Sequence, residues 1–341
     1  MADKKDKKDK DKDKKKKKKD QELEKEVVLN WVKTDDNEEI FYEDEGQGPI
    51  LVFQSGFFGI SNIWEDIVKE LSKEFRCITH DNRGYGRSSV PSKKESYSLE
   101  RHADDLKNLL DHLKISEPVY LLSHSAGCFI LAAFASKYPQ LVKRIIFIGG
   151  YMSGFTNLGP GMDDFSSVQK SLELKSQRPQ FFKQLGLKTN LAQEAAKWDS
   201  AGLMNNGPLM LGKNLDSSYP KITVEVLLIN GEKDPAFQKV EGVDLKGSLE
   251  KSVTIWMKDV NHVPQTENPS KTVELIKKNL CIVEVMKENI YLTDFFVFSC
   301  QNTYEVDDYI KSFPSLYFEL PNDLKFVFTY KDLFKLFNDR L

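Results

Sequence analysis

Cysteine is scarce in this chain: Cys77, Cys128, Cys281 and Cys300 are the only four among 341 residues. No Cys-x-x-Cys pair and no Cys/His spacing suited to zinc joins them, so no metal site is expected. Cys77 and Cys128 lie inside apolar runs and read as reduced core residues. Long apolar runs are missing too. The one from Cys128 to Ser136 ends at Lys137, well short of a bilayer crossing. Gly-x-Gly-x-x-Gly is absent, and the strand before Gly84 and Gly86 has no ribose-binding acid at the right distance, so no organic cofactor is expected either. With no apolar signal core at the start of the chain, a soluble intracellular protein is the expectation.

What the chain has in excess is lysine, at one end. Residues 1–20 carry twelve Lys against six Asp, about +6, which leaves about −9 of the net −3 on the remainder. Residues 1–22 hold too little apolar surface to offset chain entropy and are expected to be a disordered tail. The plain reading is a solubilising arm in a cytoplasmic protein. The sharper one is a nuclear-localisation signal or a nucleic-acid or anionic-surface contact through the lysines of 14–19. The interspersed Asp residues dilute the tail's field, and the negative balance elsewhere argues against a nucleic-acid face.

From residue 25 a rhythm sets in. "VVLNWVKT" and "EEIFYED" alternate polar and apolar around "DDNEE", as a hairpin does. "PILVFQSG", "FRCITHD", "VYLLS" and "RIIFIG" are buried strands, interleaved with the helical patterns "NIWEDIVKELSKE", "LERHADDLKNLLDHLK" and the run after Ser125. Such alternation predicts a mostly parallel sheet with helices on both faces. It stops at Gly149 and resumes with "ITVEVLLINGEKD" and "SVTIWMKDVNH". Residues 150–220 are long for a loop and are expected to be a helical cap. Residues 281–341 break the pattern again and read as β-rich, with "LYFEL" and "LKFVFTYKDLF" as a hairpin. That piece resembles strands near the end of pepsin-like aspartic proteases, but the chain has neither Asp-Thr-Gly nor Asp-Ser-Gly.

One junction bears on chemistry. In "VYLLSHSAGCFILAAFA", residues 119–135, strand gives way to helix with almost no loop. A turn this tight holds its apex in a strained conformation and pushes that side chain outward, with small residues on either side. The apex is Ser125, flanked by Ser123 and Gly127. A serine hydroxyl is a poor nucleophile without a neighbouring base.

"QSGFFG" after the third strand, "DNRGYGRSS" after the fourth, "SHSAG" after the fifth, "NGEKD" after the insertion and "NHVPQTENP" after the last strand follow one another in order. Over residues 25–280 the chain resembles the α/β-hydrolase family, the capped, esterase- and lipase-like members with Ser, His and Asp. The resemblance implies an α/β-hydrolase fold and puts the base on the loop after the last strand, at His262. His124 lies on the turn itself, and His80, His102 and His112 precede the nucleophile strand or sit on helices. Asp234 is the best-placed partner for His262 and keeps the expected Ser, Asp, His order, with Asp259 the nearest competitor. The oxyanion N–H groups would be those of Phe57 and Ala126. Ser55 and Ser123 stand where the family usually has His and Gly.

The implied activity is cleavage of a carboxylic ester, or a related thioester, lactone, amide or carbon–carbon bond, through an acyl-enzyme. Relatives with dehalogenase or epoxide-hydrolase activity resemble this fold but carry Asp at the elbow, which Ser125 argues against. Phe58, Phe181, Phe182 and Trp198 are candidates for lining an apolar pocket, with Met204, Leu209 and Met210 beside them; each is equally readable as core of the insertion. The competing function is a non-catalytic binding or scaffold module on the same fold.

Overall fold

The computed structural model describes residues 30–57, 59–150, 169, 172–211, 222–234, 249, 251–287, 316–319 and 325–328. The Lys-rich tail, Phe58 and most of the expected C-terminal extension lie outside the described residues.

The described chain runs β1 (Asn30–Lys33), β2 (Glu39–Glu45), β3 (Ile50–Gln54), α1 (Glu65–Leu71), β4 (Arg76–His80), α2 (Leu99–His112), β5 (Val119–His124), α3 (Gly127–Lys137) and β6 (Val142–Ile148). It continues with α4 (Arg178–Gln184), α5 (Thr189–Ala196), α6 (Ser200–Leu211), β7 (Val226–Gly231), β8 (Ser252–Met257), α7 (Pro264–Glu267) and α8 (Pro269–Lys287). The last helix runs seven residues past 280, where the extension was expected to begin. Further on, β9 (Leu316–Glu319) and β10 (Lys325–Phe328) pair antiparallel, as the hairpin pattern predicts.

Eight strands form one sheet in the order β1-β2-β4-β3-β5-β6-β7-β8. β1 to β2 and β2 to β4 are antiparallel, and every pairing from β4 to β8 is parallel. The parallel strands read as unbroken apolar runs because helices cover both faces: α2 packs on α3, and α1 on α8. β5 and β7 are buried along their whole length.

The order explains where a site belongs. From β3 the chain crosses to β4 on one side, and from there to β5 on the other. The loops leaving β3 and β5 therefore part company at the carboxyl edge of the sheet, and a crevice opens between them. Ser125 and Phe57 leave these two strands.

Between β6 and β7 the alternation is replaced by α4, α5 and α6, which accounts for the lost rhythm. Arg178 organises this insertion. It is buried, and its guanidinium donates to the carbonyls of Leu172, Ala196 and Trp198, which ties the start of α4 to the end of α5 and to the connection that leads into α6. Asn206 docks the insertion onto α2 and the loop between β4 and α2. Its Nδ2 donates to the Arg83 carbonyl at 3.1 Å and its Oδ1 pairs with His102 Nε2 at 2.7 Å. Gly202 and Gly84 meet so closely that a Cβ on Gly202 would fall 1.5 Å from the Gly84 carbonyl.

Candidate active site

Ser125 has φ +52, in the left-handed region that non-glycine residues avoid, at a cost of about 1–2 kcal/mol. Its N–H donates to the Ile148 carbonyl at 2.9 Å, which ties the turn to β6, and its carbonyl accepts from Cys128 in the first turn of α3. The tight apex expected from the strand–helix junction is thus formed. Gly127 is fixed by crowding: a Cβ there would lie 2.7 Å from the Gln54 carbonyl and 3.0 Å from that of Ser55. Ser123, where the family pattern has Gly, fits fully buried on β5.

His262 and Asp234 come to Ser125 from two other strand ends. His262 Nε2 lies 2.8 Å from Ser125 Oγ, and His262 Nδ1 lies 2.7 Å from Asp234 Oδ2. All three side chains are buried. A carboxylate only accepts, so Nδ1 carries the proton and donates to Asp234, and Nε2 is left to accept from the serine hydroxyl. Asp259, the competitor, is exposed and pairs with Lys233 at 2.7 Å.

The loop bearing His262 is held by a residue the motif reading passed over. Glu267, on α7, accepts from the backbone N–H groups of Asn261 and Val263 at 2.9 Å each and from Asn261 Nδ2 at 2.7 Å. The carboxylate therefore clamps the chain on both sides of the histidine. Its signal in the sequence is the Glu inside "HVPQTENP", five residues after His262. Gly231 admits this loop, since a Cβ there would fall 2.1 Å from the Asn261 carbonyl.

His124 has a different task. Its Nε2 donates to the His262 carbonyl at 2.9 Å, and its ring lies 5.0 Å from that of His262. Burial, with the nearby His262 adding to it, holds its pKa well below the ordinary histidine value, so it stays neutral. It braces the backbone of His262 and does not face Ser125. His80 and His102 are also buried, and burial lowers their pKa values to about 4 and about 3.

The β3–α1 loop comes against the elbow. A Cβ on Gly56 would lie 2.9 Å from the Ala126 nitrogen. Among the described residues, no backbone acceptor is paired with the N–H of Phe57 or of Ala126. Ser55 is suited to its place without a histidine: its hydroxyl donates to the Ile60 carbonyl and accepts from Trp64 Nε1, both at 3.0 Å. Phe181 and Phe182 are buried in the hydrophobic core, and Trp198 is partly buried against it. Among the described residues, no group of His, Cys, Asp or Glu side chains is arranged to hold a metal, and no helix is long and apolar enough to cross a membrane.

Comparison with known proteins agrees with this architecture. Residues 49–183 match the family model of the alpha/beta hydrolase fold. The chain is an α/β-hydrolase-fold protein. A probable oxidoreductase, EphD, of Mycobacterium tuberculosis is 36% identical over 88 residues, a match that spans 26% of this chain and 15% of that relative. Epoxide hydrolase 1 of Caenorhabditis elegans is 22% identical over 290 residues, covering 75% of this chain and 68% of that protein. An esterase from Exiguobacterium antarcticum superposes with a TM-score of 0.64 at 23% identity, covering 73% of this chain and 98% of the esterase. As an α/β-hydrolase-fold protein the chain shares its scaffold with many chemistries, so activity has to be argued from Ser125 and its neighbours.

Proposed function

We propose that the protein is a serine hydrolase that cleaves a carboxylic ester, or a related acyl bond, of a small and largely apolar substrate. The observation that carries this reading is the chain of hydrogen bonds from Ser125 through His262 to Asp234, at 2.8 and 2.7 Å. In it Ser125 Oγ attacks the substrate carbonyl carbon while its proton passes to His262 Nε2. Asp234 stabilises the imidazolium that results. The N–H groups of Phe57 and Ala126 hold the oxyanion, each worth about 3–4 kcal/mol at the transition state. Collapse expels the alcohol, which takes the proton from His262. Water, deprotonated by the same histidine, then releases the acid and restores Ser125.

The epoxide-hydrolase relative raises the main chemical rival, and the nucleophile argues against it. A carboxylate that opens an epoxide forms an ester, which water can cleave. A serine alkoxide would form an ether, and turnover would stop there. The helices α4–α6, with buried Phe181, Phe182 and Met210, suit a cap over an apolar acyl or alcohol group.

The test is labelling with a fluorophosphonate probe, comparing wild type with Ser125→Ala and His262→Ala, followed by hydrolysis of short and long p-nitrophenyl esters. Labelling of the wild type that is lost in both variants is the expected result. A well-folded wild type that neither labels nor hydrolyses any ester would hand the fold to the binding-module reading.

A further inference from the structure

The "DNRGYG" loop after β4 grips the β3–α1 loop at its carbonyls. Asn82 Nδ2 donates to the Ser55 carbonyl at 2.9 Å and to the Gly56 carbonyl at 3.4 Å. The backbone N–H of Asn82 donates to the Gly59 carbonyl at 2.7 Å. Asn82 Oδ1 accepts from Gln54 Nε2 at 2.7 Å, and this bond decides which end of the amide faces the loop. Both residues are 1% exposed, so these groups are shielded from bulk solvent. Two neighbours of Asn82 reinforce the grip. Asp81 Oδ1 accepts from the Ser61 N–H at 2.7 Å, and the Tyr85 ring fills the space beside Gly59 and stands edge-on to Phe57.

The Gly56 carbonyl belongs to the same peptide unit as the Phe57 N–H. That unit is planar and trans, so the two groups point in opposite directions. A carbonyl drawn toward Asn82 Nδ2, and toward the Gly59 N–H at 3.0 Å, turns the Phe57 N–H away from Asn82. We propose that Asn82 is a positioning residue for the oxyanion donor: acting through the Gly56 carbonyl, it aims the Phe57 N–H, and Gln54 fixes the orientation of the Asn82 amide. The inference rests on the acyl-transfer reading above and deepens it. Asn82 touches no substrate. Its effect is confined to steps in which negative charge builds on the carbonyl oxygen.

The experiment compares the full chain with its Asn82→Ala, Asn82→Asp and Gln54→Leu variants. Steady-state hydrolysis of a p-nitrophenyl ester is read beside inhibition by a trifluoromethyl ketone, whose carbonyl carbon accepts Ser125 Oγ to give a tetrahedral oxyanion adduct. Inhibition by the product carboxylic acid and the thermal midpoint serve as controls. Asn82→Ala and Asn82→Asp are expected to lower kcat about 10- to 100-fold with KM within about threefold, and to weaken the ketone by a similar factor. Inhibition by the product acid should stay within about threefold. Gln54→Leu frees the amide to turn and should give a smaller loss of the same kind, which carries the test if an Asn82 variant does not fold. Folded variants with wild-type kcat and ketone affinity would overturn the inference alone. A wild type that hydrolyses no ester would overturn the hydrolase reading and this inference together.

Discussion

The loops at the carboxyl edge of the sheet and the helices inserted between β6 and β7 are built in opposite ways. At the edge, polar groups are aimed one by one. Ser125, His262 and Asp234 form a single line, Glu267 clamps the chain beside the histidine, and Asn82 holds two carbonyls of the facing loop. In the insertion, Phe181, Phe182, Leu203, Leu209 and Met210 are buried as volume, with Arg178 and Asn206 as its main polar fastenings. Direction matters in the first region and filling in the second. Substitutions in the two should therefore fail in different measurements.

The sharpest way to break this contrast is to exchange its signatures. Asp234→Asn keeps the shape of the side chain but not its ability to hold the Nδ1–H tautomer, and a loss of about 10⁴ in kcat is expected with little change in thermal midpoint. Steady-state ester hydrolysis beside a melting curve reads both quantities. Phe182→Ala should do the reverse. It empties a fully buried site, so unfolding in urea should show a loss of about 3–5 kcal/mol, while kcat measured well below the midpoint changes by less than about threefold. A Phe182→Ala enzyme of normal stability but altered acyl-chain preference would place that ring in the pocket instead.

A smaller effect sharpens the link between the two regions. His102 joins α2 to Asn206 of the insertion, and burial lowers its pKa from 6.5 to about 3. The native state keeps it neutral, whereas the unfolded chain protonates below about pH 6.5. Stability should therefore be fully present above that value and fall as pH drops toward 3, by about 2 kcal/mol at pH 5. His80, lowered to about 4 by burial, adds a loss of similar size over pH 6.5 to 4. Urea titrations at pH 7 and pH 5 check this. His102→Gln should reduce the pH dependence by close to one proton and leave that of His80 in place.

The same contrast explains what the sequence made legible. Ser125 announces itself because a strand running straight into a helix leaves one apex, and the structure gives that apex φ +52. His262 and Asp234 were findable because each follows a strand, in the chain order that the resemblance to the α/β-hydrolase family implies. Asn82 and Glu267 were not singled out, since they act on backbone groups that become neighbours only when separate strand ends converge. The insertion was hardest to read. A buried Phe and a pocket-lining Phe have the same local pattern, and Pro208 and Gly207 interrupt the helical period of α6. Arg178 would have passed for a surface charge from sequence, because the carbonyls it binds are set by helix ends that come together only in the fold.

The most direct measurement is to trap the acyl-enzyme. The wild-type chain is mixed with a p-nitrophenyl ester, quenched in acid within the first turnovers, digested and analysed by mass spectrometry. One acyl group per chain, on the peptide that contains Ser125 and absent from Ser125→Ala, is the result expected of a serine hydrolase. Ester turnover that continues in Ser125→Ala, or an adduct formed on another residue, would contradict it.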